Sequence, residues 1–571
     1  MKSRFLTKDG HLSNTTLYLL YLLLAVCYLL GTFIPLMEND SAQHAVMAMR
    51  MYLENDFVNL YRGNEAYLDK PHMHFWLAGL AFKIFGISQW AYRIPALLFT
   101  IGGAYAVFRL TTDLYKNVPK AYAHYAALIF LTAQAIVLSN HDVRTDAVLT
   151  GAVIISLWQL FKWVEYNQLK NVIWGALFMG IAFSTKGLLG LVVIGLCLIS
   201  HIAYTNKWNV FLRASLWAGF ITLLISISPM LYAYYLQFDL HPELVVNEQT
   251  DVSGIRFILW DQSFNRLTAK GFEEVSPDYL FFFHTILWAF LPWPLLFYTG
   301  MFRRLKALLK ARFDRSKYDV EVLTLGGIVL TLLVISFSKF KLPHYLNSLM
   351  PVMAIFTAGF LYTIREKEKL LRSLLIVQYV VAGIGILAVL GVLFLTFETP
   401  GLWVWTGAFS ILGALLIAIG IKADRTAKIV LVTVLVSVLI NFSLNAYFYQ
   451  HLLTYQSGKQ LAQYYQEELS EDYPLFIPGN EYRWSLDFYT RQNIPSISPE
   501  GLKSLESPVI IATNNKEHLL NLAENDPGIS AEIVYSAPDF RITRLSLKFL
   551  NKETREALLD EGYLVLIGPN R

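Results

Sequence analysis

Apolar stretches of about 20 residues, each long enough to cross a hydrocarbon core of about 30 Å, recur along this chain. No other feature limits its possible folds as strongly. We place thirteen, near 16–36, 92–115, 121–139, 147–164, 171–185, 187–205, 210–236, 278–300, 320–337, 343–363, 371–396, 402–421 and 427–447. Lipid offers a backbone no hydrogen-bond partners, so segments of this kind cross as helices. Composition agrees: 55% of residues are hydrophobic and 16% charged, against about 25% charged in an ordinary soluble domain. That balance also excludes a disordered chain. Aromatic residues gather near the ends of the runs, as they do at membrane interfaces. A net charge of +4 over 571 residues gives nucleic acid no handle. Cys27 and Cys197 sit inside apolar runs and form no disulfide framework. The expectation is a polytopic α-helical membrane protein with about 13 transmembrane helices. The first run exceeds a signal-peptide core and no small-residue cleavage site follows Leu36, so it reads as a retained helix.

Lys and Arg in short loops set orientation. With Lys2, Arg4 and Lys8 on the cytoplasmic side, the basic loops 301–319, 364–372 and 422–428 fall on that side too. Three long segments, 37–91, 237–277 and 448–571, then lie outside. His44, Val46, Met47 and Met51 in the first suggest an interfacial helix, and His74 to Phe85 suggests a second. From about 451 the composition changes. The tail holds 17 acidic and 11 basic residues, net −6, against about +10 for residues 1–450. Its short apolar runs (474–478, 508–512, 533–535, 564–567) alternate with polar helical stretches (516–524, 552–561). We read residues 1–450 as a transmembrane catalytic domain and 451–571 as a soluble α/β domain.

Charges beside membrane spans are expensive and usually functional. Glu38-Asn39-Asp40 follows the first span directly; Asp40 is a candidate general base or a helix N-cap. Asp69-Lys70-Pro71-His72-Met73-His74 follows in the same loop, where Lys70 is either an ion pair to Asp69 or a phosphate ligand. His72 and His74 are candidate metal ligands, although an i, i+2 spacing puts them on different helix faces. The residues demand no cofactor and leave a divalent metal as an open alternative. His141-Asp142-Val143-Arg144-Thr145-Asp146 crowds one short connection, with Asp146 opening a helix where its dipole favours a carboxylate. Lys186 and the Ser338-Lys339-Phe340-Lys341-Leu342-Pro343-His344-Tyr345 stretch place cations against the positive-inside bias, as phosphate ligands or as snorkelling lysines. Arg266 offers a fork suited to phosphate, or is a solvated loop residue. These outer-face charges fit a cavity for a lipid-linked phosphate.

Read together and in order, these motifs resemble the bacterial branch of the dolichyl-phosphate-mannose protein mannosyltransferase superfamily. Within that branch the pattern is nearest the undecaprenyl-phosphate aminoarabinose transferases that modify lipid A, which are GT-C-type glycosyltransferases. The resemblance is carried by Asp40, Tyr67-Leu68-Asp69-Lys70-Pro71, Phe75-Trp76, Trp90-Ala91-Tyr92-Arg93-Ile94-Pro95, Asp146, Thr185-Lys186-Gly187, Arg266, Leu291-Pro292-Trp293 and Lys339-Phe340-Lys341-Leu342-Pro343-His344-Tyr345. Asp261-Gln262 stands where the family often has Glu-His, and His72 and His74 replace residues that are commonly Pro and aliphatic or aromatic.

The resemblance implies transfer of a sugar from a polyprenyl phosphate to lipid A, another glycan or protein. The reaction would take place on the outer face of a bacterial inner membrane and invert the anomeric centre. It implies Asp40, then Asp146, as the base. Lys70, Lys186, Arg266, Lys339, Lys341 and Tyr345 would hold the donor phosphate, with Asp69, His72, His74 and His344 lining the substrate site. The partners would be the lipid donor, a lipid or protein acceptor and membrane lipid. The competing readings are a transporter or flippase of the same anionic lipid, and a membrane scaffold whose tail does the work. No internal repeat of the transporter kind is visible.

Overall fold

The computed structural model describes residues 5–38, 40–246, 248–268, 278–318, 320–479 and 481–570, without the side chains of residues 266–268. Nine of its helices are long and apolar enough to cross a membrane. Helix α1 (Asn14–Thr32) is the first, capped where the Ser13 hydroxyl accepts from Thr16 N at 3.3 Å. A loop segment follows, built from α2 (Asp40–Leu53), the two-residue strands β1 (Tyr61–Arg62) and β2 (Glu65–Ala66), and α3 (Met73–Phe85). Helices form at both places expected in this loop. Helix α4 (Gln89–Leu114), α5 (Asp146–Tyr166), α6 (Leu169–Lys186) and α7 (Leu188–Thr205) build the part of the bundle beneath it.

The other long helices are Ser215–Asp239, Pro343–Thr363, Glu368–Leu395, Leu402–Gly420 and Arg425–Tyr455. Glu368–Leu395 and Leu402–Gly420 turn Ile384, Leu387, Ile417 and other apolar side chains outward, as lipid-facing helices do. Arg425–Tyr455 is buried on nearly all sides.

Four of the thirteen apolar stretches do not form one long, sufficiently apolar helix. Helix α6 has 18 residues and carries Lys170 and Lys186 near its ends. The 320–337 stretch gives a helix of only 14 residues, Leu323–Ser336. The 121–139 and 278–300 stretches are both interrupted, the first at Ala133 and the second between Ala289 and Pro294. The two interruptions face each other. Gln134 N donates to Leu291 O at 3.0 Å, and Trp293 Nε1 donates to Thr132 Oγ1 at 2.9 Å. Broken backbone survives inside a bundle because neighbouring protein satisfies the freed groups, and hydropathy alone carries no trace of that pairing.

The chain ends in a five-stranded sheet: β3 (Leu475–Pro478), β4 (Ser496–Ile497), β5 (Val509–Thr513), β6 (Ile529–Asp539) and β7 (Asp560–Pro569), in the order β4-β3-β5-β7-β6. β3 pairs parallel with β4 and β5, whereas β7 runs antiparallel to β5 and β6. The all-apolar core of β5, Val509-Ile510-Ile511-Ala512, is buried on both faces, as a central strand requires. The helix expected over 552–561 is one α-turn, Lys552–Arg555, continued by a 3-10 turn, Glu556–Leu558, and it stops there because Asp560 opens β7. Helix α8 (Trp484–Thr490) sends Trp484 and Phe488 into the core formed by α2, α3 and the start of α4, so the sheet unit sits on the first loop.

Candidate active site

Two helix ends bring the first charges together. Asp146 opens α5 and Lys186 closes α6, so each is favoured by the partial charge of its own helix terminus. Their side chains form an ion pair at 2.5 Å with 4% and 2% exposure. Gly187 makes the geometry feasible. It has φ +67°, ends α6 and lets the chain enter α7 at the next residue. A Cβ there would meet Gln262 Oε1 at 2.5 Å. Lys186 Nζ also lies 5.7 Å from the centre of the Tyr345 ring. Lys186, Tyr345, Gln262 and Ser338, with Leu188 and Leu189 of α7, line a cavity of about 170 Å³ that is mostly apolar.

Asp40 opens α2 and is half exposed. One of its carboxylate oxygens accepts from Arg144 Nη1 at 3.0 Å. The same guanidinium grips Asp142 at 3.1 and 2.9 Å through Nε and Nη2. Arg93, fully buried in α4, joins the two loops that carry these groups. It donates to the carbonyls of Thr32, Ile34 and Pro35 at 3.1, 2.6 and 3.0 Å, and twice to His141 O at 3.0 and 2.9 Å. A lone arginine inside an apolar span was the available signal for this role. In the sequence Arg93 stands out only as part of the Trp90–Pro95 motif, with no role attached.

The charges of Lys70, Arg144 and Lys186 all bear on His44, and those of Lys70, Arg144, Asp146 and Lys186 on His344. Burial first, then these cations and His74, holds the His44 imidazole well below its ordinary value. Burial brings His72 and His74 down to about 4, so the three rings are neutral at neutral pH. The Tyr92 hydroxyl donates to Val143 O at 3.0 Å, so its oxygen accepts from His74 Nε2 at 3.0 Å. That fixes the tautomer of His74.

The structure thus gathers Asp40, Lys70, Asp146, Lys186, His344 and Tyr345 around one site, with His44 and His74 in its wall. His72 turns elsewhere: its Nε2 donates to Val58 O at 2.8 Å, between Trp76 and Tyr234. Its ring and that of His74 therefore serve different partners. Among the described residues, no three of His, Cys, Asp and Glu gather as metal ligands. The Asp69 side chain is exposed and its backbone oxygen accepts from Gln262 Nε2 at 2.6 Å. Lys339 is exposed. Lys341 is buried and lies 5.8 Å from the Tyr279 ring centre. Arg266 belongs to the helix Gln262–Thr268, and its side chain lies outside the described residues.

Residues 69–233 match the family model of the dolichyl-phosphate-mannose-protein mannosyltransferases. The undecaprenyl phosphate-α-4-amino-4-deoxy-L-arabinose arabinosyl transferase of Edwardsiella ictaluri is 23% identical over 380 residues, covering 65% of this chain and 64% of that protein. A second such transferase, from Proteus mirabilis, is 22% identical over 381 residues, with the same shares. The chain spans about 64% of the length of these curated relatives. Among solved structures it is similar to ArnT from Cupriavidus metallidurans bound to undecaprenyl phosphate, with a TM-score of 0.71, 18% identity, and 97% and 98% of the two chains covered. The apo form of the same protein gives 0.68, with 18% identity and 96% and 97% coverage. The resemblance read from the motifs is borne out, and the chain is a multi-pass membrane protein of this fold.

Proposed function

We propose that the protein is a glycosyltransferase that moves a sugar from a polyprenyl phosphate, of the undecaprenyl type, to an acceptor hydroxyl such as one on lipid A. The reading rests on one juxtaposition: a cation, Lys186, in the wall of an apolar cleft, paired with Asp146, whose charge bears on the same Arg144 guanidinium that orients the half-exposed carboxylate of Asp40. A lipid phosphate is a good leaving group once its charge is met. Lys186 and Lys70 meet that charge at the cleft, Tyr345 walls it, and Lys339 and Lys341 extend the positive field along its approaches; Arg266 is a further phosphate ligand by its motif alone. His344, His74 and Asp69 shape the surrounding substrate site. Asp146 holds Lys186 in place. Asp40, oriented by Arg144, takes the proton from the acceptor oxygen as that oxygen attacks the anomeric carbon. The C–O bond to phosphate breaks on the opposite side, so the configuration inverts. The lipid phosphate leaves with both bonding electrons.

Residues 1–450 form the catalytic membrane domain and 451–571 the soluble one. The N-terminus lies in the cytoplasm and the sheet unit outside the inner membrane, which places every strongly basic loop inside. The transporter reading gains nothing from the relatives, and the clustered charges sit at one end of the bundle.

The test uses full-length protein in lipid nanodiscs with sugar-labelled undecaprenyl phosphate-α-4-amino-4-deoxy-L-arabinose and lipid A. A new labelled glycoside is expected. Asp40→Asn should lower its rate by about 10²–10⁴-fold while binding of undecaprenyl phosphate is kept. In sealed vesicles, movement of the donor across the bilayer without glycoside formation would establish a transporter instead.

A further inference from the structure

The C-terminal sheet unit does more than sit above the membrane: it holds the backbone that leads into Asp40. Between α1 and α2 the chain crosses from the membrane toward the site through residues 33–38. Gln456, 5% exposed, clamps this strap from the other side with both ends of its amide. Its Oε1 accepts from Glu38 N at 2.7 Å, and its Nε2 donates to Leu36 O at 2.9 Å. Tyr489 supplies a second hold. Its hydroxyl accepts from Leu36 N at 2.9 Å and donates to Gln89 Oε1 at 2.8 Å, while Gln89 Nε2 donates to Phe33 O at 2.6 Å. The third hold is reciprocal. The Glu38 carboxylate accepts from Trp484 N at 2.9 Å and Ser485 N at 3.1 Å, the first amides of α8.

The strap in turn fixes the start of α2, because Ala42 N donates to Met37 O at 3.1 Å. Asp40 is the first residue of that helix. Arg93 anchors the membrane side of the same strap, at Thr32, Ile34 and Pro35. Residues 32–38 are therefore gripped from below by one arginine and from above by the sheet unit. A base must lie within hydrogen-bond reach of the proton it takes, and displacement by about 1 Å can reduce the rate about 10²-fold.

We infer that Gln456 and Tyr489 are positioning residues for Asp40, and that the soluble domain is a working part of the catalytic site. The inference rests on the assignment of Asp40 as base. A residue that acts only through Asp40 adds nothing once Asp40 is disabled, and that sets its test apart from a general loss of structure.

The experiment compares wild type, Gln456→Ala, Asp40→Asn and the double variant in the nanodisc assay, with undecaprenyl phosphate binding and thermal stability measured alongside. Gln456→Ala is expected to lower kcat 10–100-fold, with donor KM within 2-fold of wild type. In the Asp40→Asn background the same change should lower the residual rate by less than 2-fold. An unchanged kcat, a loss confined to KM, or a full further loss in the Asp40→Asn background would each overturn the inference. If Gln456→Ala does not fold, Tyr489→Phe, which removes one hydroxyl, carries the same expectations and the same decision. Full activity of Asp40→Asn itself would instead remove the assignment beneath the inference.

Discussion

At the scale of single residues, the buried Asp146–Lys186 pair makes the most exacting statement. Two opposite charges at 2.5 Å and almost no exposure gain strongly from each other, but each has lost its hydration. Such a pair contributes little over an apolar replacement, whereas half of it is costly. Asp146→Ala leaves a buried, uncompensated lysine and should destabilise the protein by about 3–5 kcal/mol, read as a large drop in its melting temperature in detergent. Asp146→Leu combined with Lys186→Met should recover much of that loss without recovering transfer, since the cation in the wall of the cleft is then gone and Lys70 alone meets the leaving phosphate. A double variant as unstable as Asp146→Ala would show that the pair is a structural keystone instead. Both residues could be picked out from the sequence as charges beside apolar runs. Their partnership could not, because 40 residues separate them and only the packing of α5 on α6 brings their ends level.

At the scale of elements, the sharp turn from α6 into α7 makes a second test. Gly187 combines a left-handed φ of +67° with a neighbour 2.5 Å from where a Cβ would stand. Gly187→Ala therefore meets both backbone strain, about 1–2 kcal/mol, and a collision with Gln262. Gln262 can yield only by releasing Asp69 O, so the strain passes into the loop that carries Lys70. The expected outcome is a modest fall in melting temperature with a clear rise in donor KM. An unaltered KM would show that the Asp69–Gln262 link is idle.

The same scale shows where sequence reading works and where it stops. Helices with unbroken apolar runs, the two helices of the first loop and the apolar strands of the tail were legible, because each is specified by its own residues. The paired interruptions near Ala133 and Pro292 were not, since each exists through the other. The charged residues of the site were visible for being out of place. Gln456 and Tyr489 were invisible, because an amide and a phenol in a polar tail are ordinary until the fold sets them against Leu36 and Glu38.

For the whole molecule, the seam between the two units carries a pH dependence whose sign follows from burial. Asp487 lies inside α8 with 4% exposure. Burial, with the Glu38 carboxylate nearby, pushes its carboxyl up to about 8, although Ile494 N donates to it at 3.0 Å and opposes the rise. Burial raises Glu38 as well. Below about pH 4, the ordinary aspartate value, folded and unfolded chains both hold the Asp487 proton and stability is full. Between about 4 and 8 the unfolded chain gives up the proton while the folded chain keeps it. Stability then declines with rising pH, by up to about 1.4 kcal/mol per unit for this one group, and the loss is complete above about 8. Asn mimics the protonated carboxyl and can still accept from Ile494 N. Asp487→Asn should therefore flatten the melting temperature across pH 5–8 and raise it above wild type at pH 8, as followed by tryptophan fluorescence of the full-length protein in detergent. A wild-type melting temperature that climbs over this range, or a variant that keeps the wild-type slope, would rule out a protonated Asp487. Because α8 grips Glu38 only two residues before Asp40, the same loosening should reach the site. Transfer by wild type should fall from pH 7 to 9 more steeply than transfer by Asp487→Asn.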